Sequence, residues 1–277
     1  MASPAPISVV IPAYNAEKFL SQAIHSVHEQ TLKVAEIILV ADSCTDRTPQ
    51  IAAELGATVI VQTRRNMAAG LNLGVVSSSY PWLAFLDADD LWEPDKIAAQ
   101  WKAIEASPAA AISSCDVLTL MEGEVTGRSE QHLRDRWQAV ERVQVADDCY
   151  YVKKADGDLL NRFFITTSTV ILRRDLFSEL GVFDEDLIFG QTLEFFARVL
   201  ARHALVFVEK PLAFHRVHDD NHTHNLAAYW RSYVSIVDRM LKHPELYPEG
   251  SGEAHREHLK RGFHRTERLL AKRKTQG

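Results

Sequence analysis

Five aspartates stand where apolar runs end. Asp87, Asp89 and Asp90 follow the run WLAFL in YPWLAFLDADDLW, and Asp42 and Asp46 follow EIILV in EIILVADSCTD. Aspartate is a poor strand residue and costly to bury. Clustered like charges are unfavourable alone, and a divalent ion with oxygen ligands offsets that cost. Mg2+ commonly takes one or two carboxylates plus the phosphates of its substrate, and Mn2+ suits the same donors. A nucleoside diphosphate would complete such a site. A plainer use stays open at this point: Asp90 as the cap of a helix near Pro94, and Asp46 as the cap of a helix at Thr48.

The elements that must position these carboxylates alternate along the first third of the chain. ISVVIP (7–12), EIILV (36–40), ATVIV (57–61) and WLAFL (82–86) read as buried strands. Helical patterns separate them. One is capped by Asn15 and carries Phe19, Leu20, Ala23, Ile24 and Val27, one starts at Thr48–Pro49, one covers 66–76, and one starts at Pro94. Continuous apolar strands separated by helices indicate an α/β fold with a mostly parallel sheet covered on both faces. In such sheets ligands bind beyond the carboxyl ends of the strands, where these aspartates stand.

Further on, residues 110–121, 165–174 and 204–209 are expected as strands and 192–202 as a helix. Residues 122–155 mix charge and aromatics without a period and are expected as a long loop. Two helices are expected at roughly 225–242 and 253–274. Within the last, residues 256–274 are strongly basic, from Arg256 to Lys274, against Glu257 and Glu267. It is a candidate for contact with an anionic membrane surface or a partner protein, or else a solvated terminal helix.

The chain has 277 residues, 46% of them hydrophobic, and a formal net charge of −6. A sizeable core is therefore possible, and nothing global points to nucleic acid as a partner. Cys44, Cys115 and Cys149 show neither metal-ligand spacing nor a disulfide framework. A reducing, cytoplasmic setting is expected, with peripheral membrane contact left open. MASPAPISVVIP lacks the pattern of a signal peptide, and no apolar run approaches the ~20 residues of a membrane span. IPAYNAE after the first strand contains no GxGxxG or P-loop, and the chain has no GxSxG elbow. Classical dinucleotide and nucleoside triphosphate sites, and with them a nucleotidyltransferase, are disfavoured.

VVIPAYNAEKFLSQAIHSV (9–27), EIILVADSCTDRT (36–48), RRNMAAGLNLGV (64–75), YPWLAFLDADDLWEPDKI (80–97), TTSTVILRRDLFSELGVFDEDL (166–187) and HRVHDDN (215–221) occur in that order. Together they resemble family 2 glycosyltransferases, inverting enzymes with a glycosyltransferase A-type (GT-A), Rossmann-like nucleotide-sugar fold. The resemblance implies a GT-A domain over 1–222, with a donor-binding half to about 120 and an acceptor-side half from 121, and a helical extension over 223–277. It implies a UDP-sugar donor, Mn2+ or Mg2+, and a glycan, glycolipid or small-molecule acceptor. Tyr14 and Asn15 would lie near the base, Asp42 at the uracil or ribose, and Arg65 and Asn66 beside the nucleotide. Asp87 would bind near the ribose and the metal, Asp89 would coordinate the metal, and His218 would add a phosphate or metal contact.

The chain departs from that pattern on the acceptor side. Family members carry a Glu-Asp pair at a helix start after the FDE turn, and the aspartate is the usual general base. Here FDEDLIFGQTLEFFARVL places Gln191 and Thr192 there, and neither can act as a normal base. Glu194 or Asp186 could take the role, the acceptor could need little deprotonation, or the protein could bind a nucleotide sugar without transferring it. Ala41 also stands where many relatives have a polar or acidic residue.

Overall fold

The computed structural model describes residues 3–128, 140–157, 165–219, 226–257 and 259–260. The chain opens with β1 (Ala5–Ala13), α1 (Leu20–His28), β2 (Val34–Asp42), α2 (Thr48–Glu54), β3 (Thr58–Gln62), α3 (Met67–Ser77) and β4 (Trp82–Phe85). It continues through β5 (Leu91–Trp92), α4 (Lys96–Ala106), β6 (Ala110–Met121), β7 (Glu124–Arg128), β8 (Val143–Ala146) and β9 (Cys149–Val152). The last elements are β10 (Ile171–Arg173), α5 (Leu176–Leu180), α6 (Gln191–Arg202), β11 (Ala204–Val217) and α7 (Leu226–Lys242).

One sheet runs in the order β3-β2-β1-β4-β10-β6-β11-β9-β8. β3, β2, β1 and β4 are parallel, as their apolar runs imply. β10 lies antiparallel between β4 and β6, so the second half is mixed. The strand order reverses between β1 and β4, which opens a crevice at their carboxyl ends. Side chains alternate between two cores with the strand period of two. Ile7, Val9 and Ile11 face the core under α1, α2 and α4, while Val10 faces the core under α3, α5, α6 and α7. Gly74 in α3 lies so close to β1 that a Cβ there would strike the Val10 side chain. That contact seats α3 directly on the sheet.

Four expectations are corrected. Residues 165–174 are not one strand: Thr167–Thr169 form a 3-10 turn and only Ile171–Arg173 pair. Tertiary bonds override the strand propensity there, since Gln100 donates to the Thr169 carbonyl and Ser114 to the Thr169 hydroxyl. Residues 122–155 contain three short strands, β7, β8 and β9, rather than only a loop. β11 runs on to Val217, and register shifts around Pro211 let it pass a residue that cannot donate to the ladder. Asn15 does not cap α1, which begins at Leu20 without a side-chain cap.

Helix α7 is integral to the fold. Ile236, Met240 and Tyr247 share a core with Phe183, Phe195 and Phe196. Among the described residues no helix is long and apolar enough to cross a membrane. The basic segment beyond residue 260 lies outside the described residues.

Candidate active site

The carboxyl ends of β1, β2, β3 and β4 converge. Asp42, the last residue of β2, is 6% exposed and pairs across the sheet with Gln62 at the end of β3. Its Oδ1 accepts from the Ser43 hydroxyl (3.0 Å) and the amides of Arg64 (2.9 Å) and Arg65 (2.8 Å). Its Oδ2 accepts from Gln62 Nε2 (2.9 Å) and the Asn66 amide (2.8 Å). Burial works against ionisation, but the Asn66 and Arg65 amides and the two side-chain donors outweigh it and hold the carboxyl below its usual range. Asp42 thus shapes the 62–66 loop, and both of its oxygens are engaged. Arg65, at φ +50°, turns back so that its guanidinium stacks 4.8 Å from the Tyr14 ring centroid and donates to the Tyr14 hydroxyl (2.6 Å). Asn66 caps α3 by accepting from the Ala69 amide.

The loop after β1 is tied to the loop after β2. Asn15, at φ +45°, accepts from the Thr45 amide (2.8 Å), and Thr48 Oγ1 accepts from the Ala16 amide (2.7 Å). Asp46 Oδ1 accepts from the Thr48 amide at the start of α2, where Arg47 rather than Asp46 holds the cap position, and its Oδ2 accepts from the Glu17 amide. These bonds leave the partly exposed Tyr14–Arg65 pair beside the crevice.

The DADD stretch is assembled by residues far away in sequence. Asp90 caps no helix: α4 begins at Lys96, and Asp90 is 2% exposed. Its carboxylate accepts from Ser168 Oγ (2.6 Å) and the Arg216 amide (2.9 Å), and His215 Nδ1 lies 3.4 Å away. The hydrogen bond to Asp90, with the charges of Asp90, Asp87 and Asp89, outweighs burial and raises His215 to about 9. Ser168 also accepts from the Asp87 amide (3.1 Å), and Arg216 Nε donates to the Asp89 carbonyl (2.8 Å). His218 Nε2 meets Asp89 Oδ2 at 2.9 Å, and its ring packs 4.6 Å from that of Phe19 on the approach to α1.

Asp87 Oδ1 is buried with no hydrogen-bond partner among the described residues. Burial first, then Asp90 and Asp89, push this carboxyl well above its usual range. An orphaned buried carboxylate oxygen beside an Asp–His pair is a fitting place for a cation. Among the described residues no group of three or more His, Cys, Asp or Glu is arranged to hold a metal. The described residues supply a pair in contact, Asp89 and His218, which is fewer donors than a metal centre of their own would need.

The carboxylates around the start of α6 divide sharply. Glu194 is 1% exposed. Arg198 binds it through two bonds of 2.9 Å, Tyr247 donates to it at 2.7 Å, and Arg239 lies 3.9 Å away. A carboxylate so enclosed is not poised to take a proton from a substrate, which removes the reason for placing it among the bases. Asp186 is exposed at the turn before α6, its amide held by Asp184 Oδ1 (2.9 Å). Gly190, at φ +74°, starts α6 under Ile236. Gln191 is 4% exposed, and its Oε1 has no hydrogen-bond partner among the described residues.

Three residues of this region escaped the sequence reading. HRVH held a signal for Arg216, a cation beside a histidine. Ser168 and Asn72 gave none, because their side-chain partners lie 78 to 113 positions away.

Residues 8–181 match the family model described as Glycosyl transferase family 2. The chain is 27% identical over 240 residues to an uncharacterized glycosyltransferase of Rickettsia typhi, covering 85% of this chain and 71% of that one. It is also 27% identical over 230 residues to the putative glycosyltransferase EpsH of Bacillus subtilis, covering 79% and 62%. Among solved structures, S. aureus TarS 1–349 in complex with UDP-GlcNAc superposes with a TM-score of 0.65 at 15% identity, covering 85% of this chain and 66% of that one. Mannosyltransferase PcManGT from Pyrobaculum calidifontis, in complex with GDP-Man and Mn2+, gives 0.63 at 19% identity, covering 91% and 71%. At those identities the likeness is one of fold, here the GT-A fold. The chain spans 65% of the TarS 1–349 chain in its UDP complex and 39% of the chain in the structure of TarS. The family match runs from β1 to the end of α5 and so takes in all four converging strand ends, and on that ground the chain belongs to glycosyl transferase family 2.

Proposed function

We propose that this protein transfers a sugar from a nucleoside diphosphate sugar, a UDP-sugar in our reading, to an acceptor hydroxyl with inversion at the anomeric carbon. The observation that carries the reading is the pairing of Asp89 with His218 next to the orphaned Asp87 oxygen, beyond the carboxyl ends of β1 and β4. The Tyr14–Arg65 pair offers a stacking face and a cation for the base. Asp42 and Asn66 serve the nucleotide indirectly, by shaping the loop that presents Arg65.

Asp89 and His218, with Asp87, would hold Mn2+ or Mg2+ against the diphosphate. The chemistry such an ion supplies when bound is neutralisation of charge on the departing nucleoside diphosphate. Arg216, braced on the Asp89 carbonyl, and the positively charged His215 place further cations beside the carboxylates. The acceptor oxygen attacks the anomeric carbon as the bond to the diphosphate oxygen breaks on the opposite face. Asp186, exposed and anchored at its backbone, is our assignment for the base that takes the acceptor proton. The acceptor is a glycan, glycolipid or small molecule.

A second reading, nucleotide-sugar binding without transfer, is favoured by one observation. The start of α6 presents Gln191 and Thr192, and the nearby Glu194 is locked in an ion-pair cluster. One experiment separates the two. Nucleoside diphosphate release is measured over a panel of UDP- and GDP-sugars, with Mn2+ or with a chelator. Metal-dependent release of UDP is the expected outcome. UDP binding by calorimetry with no release from any donor would establish the second reading instead.

A further inference from the structure

The loop on the nucleotide side and the turn on the acceptor side are joined by one strap. Asn72, inside α3 and 9% exposed, donates through Nδ2 to the Phe183 carbonyl (2.9 Å) and accepts at Oδ1 from the Phe183 amide (3.0 Å). This two-point clasp imitates a strand bridge. The same Nδ2 donates to Glu185 Oε1 (3.1 Å), while Arg64 Nη2 pairs with Glu185 Oε2 (2.6 Å). Asn66 Nδ2 donates to the Glu185 carbonyl (2.8 Å). Arg64 and Asn66 are two of the residues whose amides Asp42 fixes. On the far side, the turn leads directly to Asp186 and to the start of α6.

We infer that Glu185, clamped by Arg64, Asn66 and Asn72, is a positioning residue that couples nucleotide binding at the 62–66 loop to the placement of the acceptor-side turn at 183–187. The coupling rests on the nucleotide-sugar reading above and extends it. An exposed ion pair alone would contribute little, but the Asn72 bonds are buried and two-point. Anything that orders residues 64–66 must therefore also order residues 183–185, because the same side chains bond both segments. Such coupling between two sites is commonly worth a factor of five or more.

Hydrogen–deuterium exchange tests it, with UDP and Mn2+ as the probe and calorimetry as a separate measure of binding. In the wild-type protein, UDP slows amide exchange at 183–187 by roughly tenfold. In Glu185→Gln the carboxylate bond to Arg64 is lost, and in Asn72→Ala the clasp is lost. Both variants keep UDP affinity within about threefold but lose most of the protection at 183–187, and Glu185→Gln lowers turnover without raising the donor KM. Bound UDP with no change at 183–187 in the wild type overturns the coupling alone. Full protection retained in both variants overturns the role of Glu185 and its clamp. Failure of UDP to bind at all overturns the functional reading, and the coupling with it.

Discussion

At the scale of single residues, the five strand-end aspartates have different uses. Asp42 receives five donors, Asp46 holds the first amide of α2, Asp90 is locked by Ser168 and Arg216, and only Asp87 keeps a buried oxygen without a hydrogen-bond partner among the described residues. Asp42→Asn tests the first of these. An amide cannot accept at both ends, so one end would face backbone N–H groups with N–H groups of its own. An unfolding free-energy loss of about 2–4 kcal/mol is expected in urea denaturation, with weaker nucleotide binding as the 62–66 loop loosens. The pH dependence has a definite sign. Because the folded carboxyl titrates below its unfolded value of about 3.9, its contribution is complete above that value and disappears as pH falls through the lowered folded one. Asp42→Asn therefore flattens part of the acid limb of the stability curve. An unchanged acid limb would argue against the five-donor arrangement.

At the scale of elements, α4 carries a buried cation behind the site. Lys96 is 0% exposed. It donates to Gln100 Oε1 (2.6 Å) and lies 4.3 Å from the Trp92 ring centroid, and burial lowers it to about 8. Trp92 in turn donates to the Ser168 carbonyl and so supports the turn that holds Asp87 and Asp90. Between about 8 and 10.5 the unfolded chain holds a proton that the folded chain has released. The Lys96 contribution to stability should therefore rise with pH across that window, by an amount on the order of 3 kcal/mol at most, against an opposing contribution above about 9 from the buried Cys115 thiol, which burial pushes up to about 11. Lys96→Met lacks this rise and is expected to match or exceed the wild type at pH 7, because replacing a poorly compensated buried charge by apolar volume is often stabilising. Thermal unfolding from pH 7 to 10.5 checks both points, and a variant several kcal/mol weaker at pH 7 would refute the expectation.

At the scale of the whole molecule, the strands form one sheet between two cores, and α7 packs into one of those cores. The expected boundary near residue 222 therefore separates segments that pack together. Ile236 and Met240 of α7 lie against the aromatic cluster of Phe183, Phe195 and Phe196, and Tyr247 donates to Glu194 at its rim. A chain ended at residue 222 would uncover that core and leave Glu194 buried beside Arg198 without its hydroxyl partner. Loss of the cooperative thermal transition, or insoluble expression, is expected. A truncated chain that melts as the full one does would show that α7 is dispensable.

Much of the donor side was legible in the sequence. Parallel strands announce themselves as apolar runs, and the residues that follow such runs must emerge at one end of the sheet. The placements of Tyr14, Asp42, Arg65 and the DADD stretch follow from that rule and from the family resemblance. The acceptor side was legible only in part. The strand propensity of 165–174 gave way to a turn that serves Ser168, and Glu194 looked available because sequence does not display Tyr247 and Arg239 beside it. The sequence by itself determined the parallel half of the sheet, from β1 to β4, and the carboxylates at its strand ends, since these depend on local periodicity. The tertiary structure alone decided which carboxylates are engaged and which can meet a ligand. That depends on hydrogen-bond partners brought from distant positions, as Arg216 is to Asp90 across 126 residues.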